Sequence, residues 1–219
     1  MKKIEAVIFD MDGVLVDSEP VIMRAATEAL AEEGIPAGYE TFRPYIGAGE
    51  EHFILDPGRQ AGKEEKIHAM MARMYELYAK YAKIDLKVYP SAVQVITQLR
   101  QRGLHLALVS SSQRQKLLVS LEAAGIDAKQ FDLILSGSEV TKKKPDPEPY
   151  RLAGERLGVL PKCCLVIEDA LSGIAAAKGA GMQCAAVTTS FSASELMAAG
   201  ADAVMEDIME ILDILNEKE

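Results

Sequence analysis

The sequence predicts an α/β protein: a doubly wound parallel sheet interrupted after its first strand by an all-helical insertion. Three observations carry this. Apolar runs at residues 4–9, 104–109, 131–135, 163–167 and 184–187, interrupted only by Glu5, His105 and Asp132 near their starts, do not alternate, as in strands buried on both faces. Segments of roughly 10–15 residues with helical spacing separate the later runs, which is the alternation of parallel βα units. Between the first run and the second, residues 18 to 85 carry no strand signal. The expected division is therefore a core of residues 1–17 and 86–219 and a second, helical unit of residues 18–85.

The first strand stops at Asp10-Met11-Asp12-Gly13. Ser18-Glu19-Pro20 then reads as a helix start, with Ser18 as cap, Glu19 suited to the helix dipole and Pro20 in the first turn. Met23, Ala26, Thr27 and Leu30 recur at helical spacing, and Gly34 closes the helix. Residues 35–62 have no clean period and are punctuated by glycine and proline, with Tyr45 to His52 a polar-tipped turn. Lys63 to Lys83 is the longest helix. Its stripe of Ile67, Met70, Met71, Met74, Tyr78 and Tyr81 reads as packing, because amphipathic spacing alone accounts for it.

After Tyr89, Ser91 caps a helix that ends at Gly103. The strand at 104–109 ends in Ser110-Ser111-Ser112, and a helix from Gln113 to Gly125 places Leu117, Leu118 and Leu121 on one face. The strand at 131–135 ends in Ser136-Gly137. A helix from Glu148 to Gly158 precedes the strand at 163–167, which ends in Glu168-Asp169. The Ala-rich segment from Leu171 to Gly181 is a helix, Cys184 to Val187 a strand, Ala203 to Met205 a short edge strand and Ile208 to Leu215 a closing helix.

With 219 residues, 49% of them apolar, the chain buries a full core. Formal net charge is −9 and there is no Trp, so no nucleic-acid or anionic-membrane surface is expected. The three cysteines, two of them adjacent in an apolar run, suit a reducing compartment and core packing rather than disulfides. The apolar run after Met1-Lys2-Lys3 is broken by Glu5 and closed by Asp10, too short for a secretory segment, and no run approaches the ~18 residues that span a membrane. A cytoplasmic, membrane-free protein is expected.

A buried strand ending in two carboxylates needs a reason, since an isolated buried carboxylate costs several kcal/mol, on the order of the penalties for buried ionic groups. Binding a divalent cation, or acting as nucleophile and acid/base, supplies one. A calcium loop of the EF-hand kind fails, because glycine falls at the fourth position rather than the sixth and a strand precedes. In open α/β sheets ligands bind beyond the carboxyl ends of strands. Those ends bring Asp10 and Asp12, Ser110, Ser136, and Glu168 with Asp169 into one candidate site. Lys144 supplies a cation whose direction Pro145 and Pro147 stiffen. Lys142 and Lys143 read as solvated charges.

Asp-x-Asp-Gly-Val-Leu-x-Asp-Ser-Glu-Pro at 10–20, Ser110, Lys144-Pro145-Asp146-Pro147, and Ile167-Glu168-Asp169-Ala170 with Gly173 downstream resemble, in order and spacing, the four motifs of the haloacid dehalogenase superfamily. The helical insertion is similar to the C1-type cap of the branch that includes β-phosphoglucomutase and phosphoglycolate phosphatase. The resemblance implies a Rossmann-like core, with Asp10 as nucleophile forming an aspartyl-phosphate and Asp12 as general acid and base. It implies that Ser110, Ser111 and Lys144 hold the phosphoryl oxygens. It also implies Mg²⁺ held by Asp10, the Asp12 main-chain carbonyl and Asp169, with Glu168 orienting a water. Asp10, Glu168, Asp169 and a phosphate dianion sum to about five negative charges, more than Lys144 alone offsets.

Mutases of that branch carry a His early in the cap and an Arg in the cap loop. Here Glu19-Pro20-Val21-Ile22 and Gly47-Ala48-Gly49-Glu50 stand in those places, which favours a phosphatase of small metabolites, sugar phosphates first, over a β-phosphoglucomutase-like phosphomutase. Dehalogenation is disfavoured by the second Asp and the metal set. The cap loop residues Gly47, Gly49, Glu50 and His52 are expected to set substrate specificity, with Glu50 and Glu51 mildly disfavouring an anionic leaving group. A small phosphorylated substrate is the expected partner of a monomer.

Overall fold

The computed structural model describes residues 3–45 and 49–216, apart from the Pro44 side chain. Strand β1 (Ala6–Phe9) has all four residues buried. The chain then makes β2 (Val16–Asp17), α1 (Glu19–Glu32), α2 (Tyr39–Phe42), α3 (His52–Gln60) and α4 (Ile67–Asp85), and returns through β3 (Lys87–Val88). Next come α5 (Ala92–Gln101), β4 (His105–Val109), α6 (Arg114–Ala123), β5 (Leu133–Leu135) and α7 (Glu148–Leu157). The chain finishes with β6 (Cys164–Glu168), α8 (Leu171–Gly179), β7 (Gln183–Val187), α9 (Ala193–Ala198), β8 (Ala203–Met205) and α10 (Ile211–Asn216).

Six strands form one parallel sheet in the order β5-β4-β1-β6-β7-β8. Counted in chain order this is 3-2-1-4-5-6, the doubly wound arrangement whose crevice opens beside the first strand. Phe9 pairs with Leu108 on one side and Ile167 on the other, so Asp10 emerges between the carboxyl ends of β4 and β6. Alternate strand residues enter opposite layers. Val7, Phe9, Leu108 and Ile167 pack toward α5, α6 and α10, while Ile8, Val109 and Val166 pack toward Tyr150 and Ile174. Cys163, Cys164 and Cys184 are buried in that second layer.

The helices between β2 and β3 build a third apolar cluster, in which α1, α3 and α4 bury Ile22, Leu30, Phe53, Ile54, Met74 and Tyr78. Val119 and Ala123 of α6 pack against it. Pro57 lies inside α3, which costs about 3 kcal/mol of helix propensity. Burying Phe53 and Ile54, at about 1.5–3 kcal/mol each, offsets that. This helix was not legible from periodicity.

Several local expectations shift. Ser18 has helical dihedrals and makes no side-chain cap. The buried face of α1 is Val21, Ile22, Ala25, Ala26, Ala29 and Leu30, rotated from the Met23–Thr27 stripe because the helix packs on two neighbours. On α4 the stripe holds through Met70, Met74, Tyr78 and Tyr81. On α6 the buried residues are Lys116, Leu117, Ser120 and Leu121, while Leu118 is exposed. The β2–β3 ribbon, pairing Val16 with Val88 and Asp17 with Lys87, escaped the sequence reading, as did α9. Among the described residues no helix is long and apolar enough to cross a membrane.

Candidate active site

The β1 strand delivers Asp10 to the crevice, and its backbone N–H donates to the Ile167 carbonyl of the neighbouring strand at 2.9 Å. Gly13 follows at φ +84°, and a Cβ there would lie 2.0 Å from an Asp169 carboxylate oxygen. Only glycine lets the loop after β1 close this tightly on the loop after β6. Gly173 does the same for Glu168: a Cβ would stand 1.8 Å from its Oε1.

Lys144 reaches from the loop before α7, its side chain only 6% exposed. Its Nζ donates to Asp10 Oδ1 at 2.5 Å and Glu168 Oε1 at 2.6 Å, and to the Val109 carbonyl at 3.3 Å. The Tyr150 hydroxyl donates to the same Glu168 oxygen at 2.5 Å, and the backbone N–H groups of Asp169 and Ala170 donate to Oε2. Ser190, beyond β7, donates to Asp169 Oδ2. Asp10, Glu168 and Asp169 can each offer one oxygen, all within 4.8 Å of one another. Three buried hard oxygen donors against one lysine fit a small divalent cation.

Burial raises the Asp10 carboxyl well above the usual carboxylate range, and Glu168, Asp169 and Asp12 add to this against the pull of Lys144. Burial, with Glu168 beside it, lifts Asp169 to about 7, opposed by Ser190. Both shifts mark carboxylates packed without enough positive charge.

Asp12 has a different environment. Lys116 Nζ donates to its Oδ1 at 2.7 Å, Ser112 Oγ donates to Oδ2 at 2.9 Å, and Ser18 Oγ donates to Oδ1. Burial pushes the Asp12 carboxyl up, but Lys116 and these hydrogen bonds outweigh it and hold the group below the usual range. Lys116 is itself buried and donates to Ser112 Oγ at 3.0 Å and Ser18 Oγ at 3.1 Å. The two strand-end aspartates thus stand in different electrostatic settings, Asp10 among carboxylates and Lys144, Asp12 under Lys116.

The expected residues are gathered unevenly. A cavity of about 750 Å³ is lined by Asp10, Asp12, Lys144, Glu168, Asp169 and Ser111, and also by Gly49 and Glu50. Ser110 is buried and outside that lining: its hydroxyl lies 3.4 Å from Asp12 Oδ2 and accepts from the Ser112 N–H at 3.1 Å. Ser136 turns to Glu139 instead. His52 lies outside the lining, stacked on Tyr45 with Nδ1 2.9 Å from Asp56 Oδ2. Gly47 falls outside the described residues. Glu50 is buried and accepts from the Gln113 N–H at 3.0 Å and the Tyr75 hydroxyl at 3.3 Å. Lys143, expected to be solvated, donates to Glu51 at 2.5 Å, so the loop before α3 is held to the segments around Gln113 and Lys143.

Sequence reasoning missed Lys116, Ser112, Tyr150 and Ser190. A signal existed for Lys116: it stands one residue before Leu117 and four before Ser120, on the buried stripe of α6. A lysine on such a stripe needs a buried anion.

Comparison with known proteins agrees with this geometry. The chain is 39% identical over 220 residues to protein SUPPRESSOR OF QUENCHING 1, chloroplastic, of Arabidopsis thaliana, covering 97% of this chain and spanning 21% of that protein's length. It is 32% identical to the phosphorylated carbohydrates phosphatase of Thermotoga maritima, over 97% of this chain and 99% of that protein. To the phosphoglycolate phosphatase of Yersinia pseudotuberculosis it is 33% identical, over 90% and 86% of the two chains. The crystal structure of CbbY from Rhodobacter sphaeroides in complex with phosphate superposes with a TM-score of 0.83 at 28% identity, over 95% of this chain and 96% of that one. Residues 4–181 match the family model of the haloacid dehalogenase-like hydrolases. With four strand ends converging on a paired Asp10–Lys144 centre and a match over most of its length, the chain belongs to the haloacid dehalogenase-like hydrolase family, and it is an enzyme.

Proposed function

We propose that this protein is a Mg²⁺-dependent phosphatase of a small phosphorylated metabolite, sugar phosphates foremost, working through an aspartyl-phosphate on Asp10. The observation that supports it best is the division of labour between the two strand-end aspartates. Asp10 shares the buried crevice with Lys144, Glu168 and Asp169, and Asp12 stands apart under Lys116. The ready match to phosphatases of carbohydrates and phosphoglycolate supports the reaction class.

In this reading an Asp10 carboxylate oxygen attacks phosphorus, the ester bond to the leaving oxygen breaks, and Asp12 delivers the proton that oxygen needs. Water then attacks the phosphoryl-Asp10, Asp12 takes its proton, and phosphate leaves with the carboxylate restored. Lys144 neutralises part of the charge that gathers on Asp10 and the phosphoryl oxygens, and Ser111 lines the same cavity. Asp10, Asp169 and the Asp12 carbonyl would hold Mg²⁺, with Glu168 in support, and the ion would supply the positive charge that Lys144 alone lacks. Ser110, with its hydroxyl 3.4 Å from Asp12 Oδ2, would hold a phosphoryl oxygen together with Lys144. Residues 18–85 act as a cap over a core of residues 1–17 and 86–219, with the β2–β3 ribbon as the joint between them.

The test is a phosphate-release screen of the purified protein with Mg²⁺ across sugar phosphates, phosphoglycolate, nucleotides and pyrophosphate, with glucose 6-phosphate followed from glucose 1-phosphate. Release from sugar phosphates without isomerisation supports the phosphatase. Conversion of glucose 1-phosphate without net release, or turnover unaffected by EDTA, contradicts it.

A further inference from the structure

The cavity over Asp10 continues past the reacting groups. Beyond them its lining carries three carboxylates, Asp17, Glu19 and Glu50, and aromatic rings that include Tyr45, Phe53 and Phe191. Positive charge is scarce there. Among the described residues only Lys116 and Lys144 are cationic in the lining, and both are taken: Lys116 by Asp12 at 2.7 Å, Lys144 by Asp10 and Glu168 at 2.5 and 2.6 Å. Lys143 lies outside the lining and pairs with Glu51 at 2.5 Å. The segment between Tyr45 and Gly49 is Ile-Gly-Ala, so it adds no charge.

None of the three outer carboxylates has an ion-pair partner among the described residues. Glu50 is buried and held only by neutral donors, the Gln113 N–H and the Tyr75 hydroxyl. Burial, with Asp17 and Asp12 nearby and against the pull of Lys116, raises the Glu19 carboxyl above its usual range. A carboxylate or second phosphate on the substrate would meet unpaired like charges across the cavity, with no unpaired cation among the described lining residues to receive it. Hydroxyl groups, by contrast, are donors these carboxylates can accept, and the rings offer faces to the carbon skeleton of a polyol.

We propose that the cavity selects the phosphomonoester of an uncharged polyhydroxy alcohol and rejects esters whose leaving group carries a second anion. Asp17, Glu19 and Glu50 are the selecting residues. The proposal rests on the phosphatase reading and goes beyond it by separating this chain from phosphatases of acidic substrates such as phosphoglycolate.

The experiment compares matched esters with Mg²⁺: glycerol phosphate against phosphoglycolate, and fructose 6-phosphate against fructose 1,6-bisphosphate, with p-nitrophenyl phosphate as the core control. The neutral partner is expected to lead in kcat/KM by about a hundredfold, the scale of a like-charge contact. Glu19→Gln and the isosteric Glu50→Gln, which keeps an acceptor for Gln113 and Tyr75, each narrow that ratio about tenfold by raising use of the anionic partner. Parity between partners, or ratios unmoved in both variants, overturns the selectivity while p-nitrophenyl phosphate turnover leaves the phosphatase standing. Release from none of the esters, p-nitrophenyl phosphate included, overturns the phosphatase reading and the selectivity together.

Discussion

Replacing Lys116 with methionine removes the cation bound to Asp12 while keeping a side chain of similar reach, so the packing of the α6 stripe is disturbed least. At 2.7 Å the pair attracts with about 6 kcal/mol at an effective dielectric of 20. Two corrections reduce the net effect. The variant no longer has to desolvate a lysine that is only 4% exposed, and the Asp12 side chain, 33% exposed, regains some hydration. Asp12 also keeps Ser112 and Ser18 as donors. The expected loss is about 2–3 kcal/mol, below the 3–5 of a fully buried pair. For a chain of this length that lowers Tm by about 4–12 °C. Activity should fall as well, because Asp12 loses the donor that fixes its position. We expect kcat to drop at least about tenfold, with the alkaline limb of the pH profile, which reports loss of the Asp12 proton, moved upward. Thermal unfolding and pH-resolved phosphate release read both effects. A Tm within about 2 °C of wild type together with an unchanged kcat profile would refute the role assigned to Lys116.

Gly173→Ala should lower stability by about 3 kcal/mol or more in thermal unfolding, although alanine is the better helix former by about 1 kcal/mol, because its Cβ displaces Glu168 from Lys144 and Tyr150. Asp12→Ala should retain the Mg²⁺ affinity of the wild type, measured by calorimetry, and lose about a hundredfold or more in kcat. Stability without metal should fall as pH rises from 5 to 7. Asp169, lifted to about 7, holds its proton in the folded protein where the unfolded chain has already released it, so the native state loses ground through that window, by up to about 1.4 kcal/mol per pH unit from this group, and levels off above it. Asp12, held low, titrates beneath that window. Added Mg²⁺ should flatten the slope, and a metal-free Tm that rises with pH across the same range would contradict it.

The strands were legible because each is an apolar run ended by polar residues, and in a parallel sheet those ends meet at one edge. This made Asp10, Asp12, Lys144, Glu168 and Asp169 readable as one site before any fold was in hand. What escaped depends on contacts between distant segments. The β2–β3 ribbon has two residues per strand, too few to leave a period, and it exists because Val16 and Val88 meet across the insertion. Ser18 has the composition of a helix cap, but its hydroxyl is drawn to Asp12 by the tertiary fold. Lys143 resembled a solvated charge because Glu51, 92 residues away in sequence, was not visible as its partner. Lys116 was hidden for a related reason: helical spacing identifies a buried stripe through its leucines and passes over a cation on it.

Asp10 is proposed to carry the phosphoryl group. Rapid acid quench of the enzyme turning over its best substrate with Mg²⁺, followed by peptide mass mapping, tests it directly. One added phosphoryl group is expected on the peptide containing Asp10, and no adduct in Asp10→Asn, with turnover reduced at least about a thousandfold. A phosphoryl group found on any other residue, or an Asp10→Asn enzyme retaining more than about a tenth of wild-type turnover, would contradict it.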